Sequence, residues 1–253
     1  MSEKHPSLTC FFPCYNDAHS IGSLVAAADT VAAEYTSDYE IIVIDDGSTD
    51  SSRELLTELQ NKYPNLKLIL HEQNKGYGGA LQSGFRGATK DLIFYTDGDG
   101  QYDVFELRKL LRVMQEGVDV VNGYKIERSD PLHRIIIGKV YLNLMRFLFF
   151  FKVRDVDCDF RLMRREIFDQ ISLHHTSGVI CIELVKKMEL SGYHFVDFPV
   201  HHFHRTHGKS QFFNFRRLFR TGVNILRLWA EIIAIPRLSK LFSSKRKQAV
   251  LDS

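Results

Sequence analysis

Short apolar runs alternate with helical patterns through the first half of the 253-residue chain. The runs have strand length and are rich in β-branched and aromatic residues, and each is followed by a segment with helical spacing. This alternation predicts βαβ crossovers and therefore an α/β fold with a mostly parallel sheet. The expected strands are Leu8–Phe12, Glu40–Asp45, Leu66–Leu70, Leu92–Thr96 and Val118–Asn122, and the expected helices are Ile21–Tyr35, Ser51–Tyr63, Gly79–Thr89 and Val104–Gln115.

The pattern changes after Gly123. A long apolar segment is followed by a short charged stretch, a helix, an alternating strand and a basic helix rich in aromatic residues. We expect one domain over residues 1–235 and a polar tail over residues 236–253. The second-half segments are, in order, Arg134–Lys152, Asp155–Arg164, Val179–Ser191, Phe195–Phe203 and Phe212–Ile235.

Composition is that of an ordinary globular protein, with 44% hydrophobic and 25% charged residues. A formal net charge of +2 argues against a polycation built for nucleic acid. The N-terminus lacks the apolar core of a signal peptide, and each apolar stretch of membrane-spanning length contains charges. We therefore expect a cytoplasmic protein with reduced thiols, in which Cys10 and Cys14 either pack in the core or form half of a zinc site.

Polar motifs follow four of the expected strands. In open parallel sheets, ligands bind beyond the carboxyl ends of the strands, so these motifs should meet at one edge. Neither a dinucleotide-binding glycine fingerprint nor a P-loop is present, which argues against a dehydrogenase and a P-loop NTPase. The motifs are Pro13–Asp17, Asp45–Asp50, Asn74–Gly79 and Asp97–Asp103.

Asp97 and Asp99 flank a glycine immediately after a strand, and Gln101 lies two residues further on. Two neighbouring carboxylates repel each other unless a cation neutralises them, and Mg²⁺ prefers carboxylates together with substrate phosphates. The spacing therefore predicts a metal site with an amide oxygen as a further ligand. The alternative is a solvated acidic turn or a helix cap before Val104.

Two further motifs suggest contacts with a nucleotide. The carboxylate of Asp46, in a glycine-containing turn, is suited to accept from a base N–H or from ribose hydroxyls. The glycines that follow Lys75 either cradle a phosphate or form a tight turn before the next helix.

These residues resemble the inverting family-2 glycosyltransferases of the GT-A fold, and most of all the polyprenyl-phosphate sugar synthases of the dolichyl-phosphate mannose synthase group. The resemblance covers roughly residues 7–235. It implies that a GDP- or UDP-sugar donates its sugar to a polyprenyl phosphate with the help of Mg²⁺ or Mn²⁺. The nucleotide-binding half would be about 7–123 and the acceptor and membrane-interface half about 124–235. The motifs are Pro13-Cys14-Tyr15-Asn16, Asp45–Asp50, Asn74-Lys75-Gly76, Asp97–Gln101 and Arg205–Ser210.

The resemblance also implies roles for individual residues. Arg161, in Asp159-Phe160-Arg161, resembles the arginine of the Gly-Phe-Arg element of the family. Arg205 and Ser210 resemble its contacts to the diphosphate. The nucleotide-sugar residues would be Pro13, Tyr15, Asp17, Asp46, Lys75, Gly76, Asp97, Arg161 and Ser210; the metal ligands Asp97, Asp99 and Gln101; and the catalytic residues Asp99 and Arg205.

The chain departs from the family pattern on the acceptor side. It has Asp157-Cys158-Asp159 where a Thr-Ser-Gly stretch is usual. An alcohol acceptor needs a general base, for which Asp157 and Asp159 are candidates, whereas a phosphate acceptor is already an anion. Gly98 and Gly100 also differ from the alanine and leucine frequent in mannose synthases, so the resemblance does not identify the donor sugar.

The two apolar helices suggest a location. Arg134–Lys152 carries one narrow polar stripe, and Phe212–Ile235 is a basic, aromatic amphipathic helix. Such helices suit an anionic membrane surface, which predicts peripheral attachment on the cytoplasmic face. The alternative is that they pack on each other, on the sheet or across a dimer, as in a homo-oligomer. Arginines arranged among aliphatic residues argue against nucleic acid as a partner.

Overall fold

Seven strands form one sheet in a computed structural model of the protein, which describes residues 5–126, 132–204 and 215–236. The strand order is β3-β2-β1-β4-β6-β5-β7. β6 runs antiparallel to β4 and β5, and the other neighbours are parallel. The strands are β1 (Leu8–Cys14), β2 (Tyr39–Asp45), β3 (Leu66–Leu70), β4 (Leu92–Thr96), β5 (Val120–Ile126), β6 (Phe160–Arg164) and β7 (Phe195–His201).

Helices cover both faces of the sheet, which confirms the predicted α/β class. The first-half strands and helices were located correctly, although β1 and β5 run further than expected. A short 3₁₀ turn, Val104–Glu106, precedes the fourth helix, and a π-helical turn, Ala230–Ala234, follows the last one. The helices are α1 (Ile21–Tyr35), α2 (Ser52–Lys62), α3 (Tyr77–Gly87), α4 (Leu107–Val113), α5 (Leu132–Phe149), α6 (Ile167–Gln170), α7 (Ile180–Leu190) and α8 (Phe215–Trp229).

Alternating side chains of the central strands pack into two apolar layers, one on each face of the sheet. On β1, Phe11 joins the layer that includes residues of α3, α5, α7 and α8. Its neighbours Cys10 and Phe12 join the layer that includes residues of α1, α2 and α4. Cys10 and Cys14 are buried and free there, which resolves their role in favour of packing.

Strand β6 is the element that the sequence pattern did not reveal. It lies within the short charged stretch, and its sequence Phe-Arg-Leu-Met-Arg interrupts the apolar run with charge. Arg161 on this strand is fully buried. Charged residues are almost never buried without partners, and the partners of Arg161 lie on other elements. The sequence of the strand alone therefore does not indicate that it is buried.

The two apolar helices of the second half meet beside the sheet. The indole Nε1 of Trp229 on α8 donates to the carbonyl of Leu148 on α5 at 3.0 Å. Met145 and Phe149 of α5 and Leu228 of α8 are buried in one layer. Among the helices in the described parts of the chain, none is both long enough and apolar enough to cross a membrane.

Candidate functional site

The carboxyl ends of β1, β2 and β4 lie side by side, because Cys14 pairs with Asp45 and Phe11 pairs with Tyr95. The strand order reverses between β1 and β4, which is where open α/β sheets bind ligands. Gly98 is required there, since a Cβ at this position would lie 2.3 Å from the carbonyl oxygen of Pro13. The predicted metal turn therefore packs directly against the end of β1.

Asn16 joins the loops that follow β1 and β2. It adopts a positive φ of 59°, and its Oδ1 accepts from the backbone N–H of Thr49 at 2.7 Å. Its own N–H donates to Ser48 Oγ at 3.0 Å. The backbone carbonyl of Asp17 accepts from two backbone N–H groups at the start of α1. Tyr15 is 41% exposed at the edge of the sheet. The geometry gives Asp17 a loop-forming role, and its predicted donor contact stays a prediction.

Asp46 lies at the predicted edge but is only 3% exposed. Its Oδ1 is 2.6 Å from Nδ1 of His71 and accepts from the backbone N–H of Lys75 at 2.8 Å. The other ring nitrogen of His71 lies 2.9 Å from Ser83 Oγ. Asp46 therefore holds the loop between β3 and α3 in place. A contact between Asp46 and the nucleoside would use the other carboxylate oxygen, Oδ2.

The glycines after Lys75 are explained by packing. The N–H of Gly78 donates to the carbonyl of Thr176 at 2.9 Å, and a Cβ at Gly76 would lie 2.6 Å from the same oxygen. Gly76 also adopts a φ of 81°, which glycine favours. The structure thus favours the tight turn over the phosphate cradle for Gly78, while the predicted donor contacts of Lys75 and Gly76 stay predictions.

Asp97 is the centre of the acidic part of the edge. The hydroxyl of Tyr77 donates to its Oδ1 at 2.6 Å. Burial and the negative charges of Asp159 and Asp99 raise the pKa of Asp97 well above its usual range. Burial also raises the pKa of Tyr77, so that this hydroxyl keeps its proton and acts as the donor. The carboxylates converge at an energetic cost that a bound cation would remove.

Gln101 connects the acidic turn to the end of β7. Its backbone N–H donates to Oδ1 of Asp99 at 3.1 Å, and its side-chain Nε2 donates to the carbonyl of Phe203 at 3.0 Å. The backbone N–H of Phe203 donates to the backbone carbonyl of Gln101 at 2.8 Å. These contacts hold the amide nitrogen of Gln101, so only its oxygen remains to act as a metal ligand.

The donor set fits a divalent cation that completes its coordination with substrate. The described residues contain no group of three or more His, Cys, Asp or Glu side chains arranged to hold a metal. Asp97 and Asp99 would instead supply carboxylate oxygens, with Gln101 as a candidate third ligand. Mg²⁺ commonly binds one or two carboxylates together with substrate phosphates and water.

Arg161 lies inside the protein. It is 0% exposed, and its Nε donates to Oδ1 of Asn122 at 2.7 Å. One terminal nitrogen donates to the hydroxyl of Tyr95 and to Oδ1 of Asp159, while the other donates to the carbonyl of Val156. Arg161 therefore bonds to groups inside the protein, and the contact with the donor that the resemblance implied stays a prediction.

The two candidate bases lie in different environments. Asp159 is 9% exposed, and its Oδ1 accepts from the thiol of Cys181 at 3.1 Å as well as from Arg161. Burial raises the pKa of Asp157 to about 7, against the opposing charge of Lys125. A carboxyl group that titrates near neutral pH is suited to general-base catalysis, which favours Asp157 over Asp159.

Lys125 is the cation of this acidic region. Its Nζ donates to the carbonyl of Asp157 at 2.7 Å. Burial opposes its charge, but the carboxylate of Asp155 and other nearby acidic groups raise its pKa, so it stays protonated. Its positive charge partly opposes the rise in the pKa of Asp97 that burial, Asp159 and Asp99 cause.

Arg205 and Ser210 lie outside the described residues, so their roles stay predictions. The described chain reaches His204, one residue beyond the contact between Phe203 and Gln101. The roles of His71, Tyr77 and Lys125 were not predicted from the sequence. Each of them has its partner 20 or more residues away in the sequence, so no local pattern could reveal the contact.

The fold and the arrangement of loops at this edge define a glycosyltransferase of the GT-A class. Residues 9–172 match the family model described as Glycosyl transferase family 2, and the chain belongs to this family. It is therefore an enzyme of the glycosyltransferase class.

Solved structures with low sequence identity share the fold. Glucosyl-3-phosphoglycerate synthase from Mycobacterium tuberculosis, in complex with Mn²⁺, UDP and phosphoglyceric acid, matches with a TM-score of 0.68 and 15% identity, over 89% of this chain and 78% of that one. Mannosyl-3-phosphoglycerate synthase from Rubrobacter xylanophilus matches with a TM-score of 0.63 and 19% identity, over 89% and 73%. A mannosyltransferase from Pyrobaculum calidifontis, in complex with GDP-mannose and Mn²⁺, matches with a TM-score of 0.58 and 18% identity, over 82% and 59%.

Proposed function

We propose that this enzyme transfers a sugar from a GDP- or UDP-sugar to a polyprenyl phosphate at the cytoplasmic surface of a membrane, with inversion and with Mg²⁺ or Mn²⁺. The acceptor phosphate oxygen attacks the anomeric carbon, and the bond from that carbon to the β-phosphate oxygen breaks. The nucleoside diphosphate leaves with the bonding electrons. Membership of family 2 and the acidic edge built by Asp97 and Asp99 support the donor half of this proposal.

The metal would supply neutralisation of the charge that develops on the leaving diphosphate. Asp97 and Asp99 would hold it, with Gln101 as a further ligand. The similar structures named above contain Mn²⁺ with UDP or with GDP-mannose. Arg205 and Ser210 would close on the diphosphate from the segment that follows His204.

Lys125 supports an anionic acceptor. Its ammonium group has three N–H donors, and one of them is bonded to the carbonyl of Asp157. The remaining donors can stabilise an acceptor phosphate among carboxylates that would otherwise repel it. A phosphate oxygen is already negatively charged near neutral pH, so this acceptor needs no proton removed.

The observation that carries the lipid assignment is the outer face of α5. Val140, Leu144 and Phe147 recur at helical spacing and are exposed, with Phe147 at 75%. The opposite face buries Met145 and Phe149. Burial, and after it the negative charge of Asp157, raises the pKa of Tyr141 on the same helix, which supports a location of α5 between the acceptor side of the site and an apolar surface.

Helix α8 presents a similar surface. Phe219 and Leu226 are exposed, and the exposed arginines Arg220 and Arg227 follow them directly. Exposed apolar side chains beside basic ones are typical of helices that lie in the interface of an anionic membrane. Each basic residue near such a surface contributes about 1 kcal/mol.

Vesicle flotation tests the membrane half. The wild-type protein should float with anionic vesicles, and the double variant Phe147→Glu, Phe219→Glu should stay in the soluble fraction. Leu190→Glu is the matched control, because Leu190 is 59% exposed at the end of α7 and should not affect flotation. If the wild-type protein fails to float at low salt, the membrane assignment is wrong.

Acceptor screening tests the reaction. Nucleotide sugars are screened for release of the nucleoside diphosphate with a short polyprenyl phosphate, with 3-phosphoglycerate or with no acceptor. We expect release to depend on the polyprenyl phosphate. Release that depends on 3-phosphoglycerate instead would favour the second candidate, a soluble family-2 enzyme with a small-molecule acceptor. Two of the similar structures support this candidate, because they are of glucosyl- and mannosyl-3-phosphoglycerate synthases. Glycan or protein acceptors belong to the same alternative.

A further inference from the structure

The hydroxyl of Tyr77 joins two parts of the site that are separate in the sequence. Tyr77 is the first residue of α3, whereas Asp97 follows β4. The bond from its hydroxyl to Oδ1 of Asp97 measures 2.6 Å, which is the usual length of a hydrogen bond from a hydroxyl to a charged carboxylate oxygen. Neither the family resemblance nor the motif at Asp97–Gln101 assigns a role to this tyrosine.

The backbone around Tyr77 is held from outside the site. The carbonyl of Thr176 accepts from the N–H of Gly78 at 2.9 Å, and the carbonyl of His175 accepts from Nε2 of Gln82 at 3.0 Å. The backbone N–H of His175 in turn donates to Glu183, which is 1% exposed. The start of α3 therefore rests on a fixed loop, and the position of the hydroxyl is set by the fold.

The hydrogen bond has two consequences for Asp97. It engages Oδ1 and restrains the orientation of the carboxylate, so Oδ2 is the oxygen that this bond leaves for a metal. As a neutral donor, the hydroxyl also offsets part of the repulsion that the half-buried carboxylate of Asp97 experiences from Asp99 and Asp159. Hydrogen bonds of this kind orient the carboxylates that bind metals, and their removal typically weakens metal affinity.

We infer that Tyr77 is a positioning residue that acts through Asp97 to set the affinity of the site for its divalent cation. The inference rests on the metal site of the proposed function. It adds that the first residue of α3, 20 residues before Asp97 in the sequence, determines how well the acidic turn binds metal.

The test compares Tyr77→Phe with Tyr39→Phe. Tyr39 is the matched control, because its hydroxyl also donates to a carboxylate, that of Asp29 at 2.7 Å, but at the opposite end of the sheet. Binding of Mn²⁺ is measured from the EPR signal of the free ion, without nucleotide and with UDP or GDP. We expect the dissociation constant for Mn²⁺ to rise about 10-fold in Tyr77→Phe and to be unchanged in Tyr39→Phe.

Two further measurements separate positioning from a general loss of structure. Both variants should melt cooperatively, and nucleotide binding in excess chelator should be the same in Tyr77→Phe as in the wild type. If the wild-type protein binds Mn²⁺ and Tyr77→Phe binds it equally well, the inference is wrong and the metal site stands. If the wild-type protein binds no Mn²⁺ with either nucleotide, the metal site of the proposed function fails and the inference fails with it.

Discussion

Replacing Arg161 with alanine should destabilise the protein instead of acting on the donor directly. The side chain is fully buried, and its removal would leave the carboxylate of Asp159, the amide oxygen of Asn122 and the carbonyl of Val156 without this donor. Asp159 would keep its bonds from Tyr95 and Cys181, but both of these donors are neutral. The negative charge of Asp159 would then lack the cation that now pairs with it.

The expected magnitude is large for a single substitution. Removing one partner of a buried ion pair costs about 3–5 kcal/mol. At roughly 2–4 °C per kcal/mol for a protein of this size, the melting temperature should fall by about 6–20 °C. Denaturant unfolding should show the same loss as a lower midpoint with an unchanged slope.

Arg165→Ala is the matched control. The side chain of Arg165 is 39% exposed and pairs with that of Asp169, which is 55% exposed. Exposed pairs of this kind contribute at most about 1 kcal/mol, so this variant should melt close to the wild type. If Arg161→Ala melts like the control and loses affinity for nucleoside diphosphates, Arg161 contacts the donor and our account of it is refuted.

Three further predictions concern the edge of the sheet. Asp99→Ala should abolish transfer and Mn²⁺ binding while the protein stays folded, and full turnover in excess chelator would contradict a metal-dependent reaction. Asp46→Asn keeps an acceptor for His71 and Lys75, so it should weaken nucleoside diphosphate binding, measured by calorimetry, more than it lowers the melting temperature; unchanged affinity for UDP and GDP would reject the assignment. Asp157→Asn should have a higher melting temperature than the wild type, and the difference should be larger at pH 8 than at pH 5. Burial raises the pKa of Asp157 to about 7, so the protonated side chain stabilises the folded wild type at low pH. This stabilisation decreases as the pH rises toward 7 and is absent above it. Equal effects at both pH values would show that Asp157 ionises normally.

The motifs at strand ends could be located from the sequence because they depend on local order. A strand that runs into Asp97-Gly98-Asp99 must deliver these residues to the carboxyl edge, and the parallel pairing of β1, β2 and β4 brings the edge together. The need for glycine at position 98 was not visible, since it arises from the carbonyl of Pro13 on another strand.

Arg161 shows where a motif is insufficient. Its sequence position beside Asp159 was consistent with a phosphate contact, but the antiparallel strand β6 turns its side chain toward Tyr95 and Asn122. The pairing partners of a strand are not encoded in its own residues. A buried arginine and an exposed arginine therefore look the same in a single sequence.

By itself, the sequence determined the α/β class, the order of the first-half strands and helices, and the edge where the polar motifs meet, because periodicity and strand ends are local properties. Tertiary structure decided which groups of each motif remain available for a ligand. It placed Asp46 against His71, Tyr77 against Asp97 and Lys125 against the Asp157 carbonyl, pairs separated by 20 or more residues. Such contacts depend on how the whole chain packs, since burial and long-range hydrogen bonds set the charge and the orientation of each side chain.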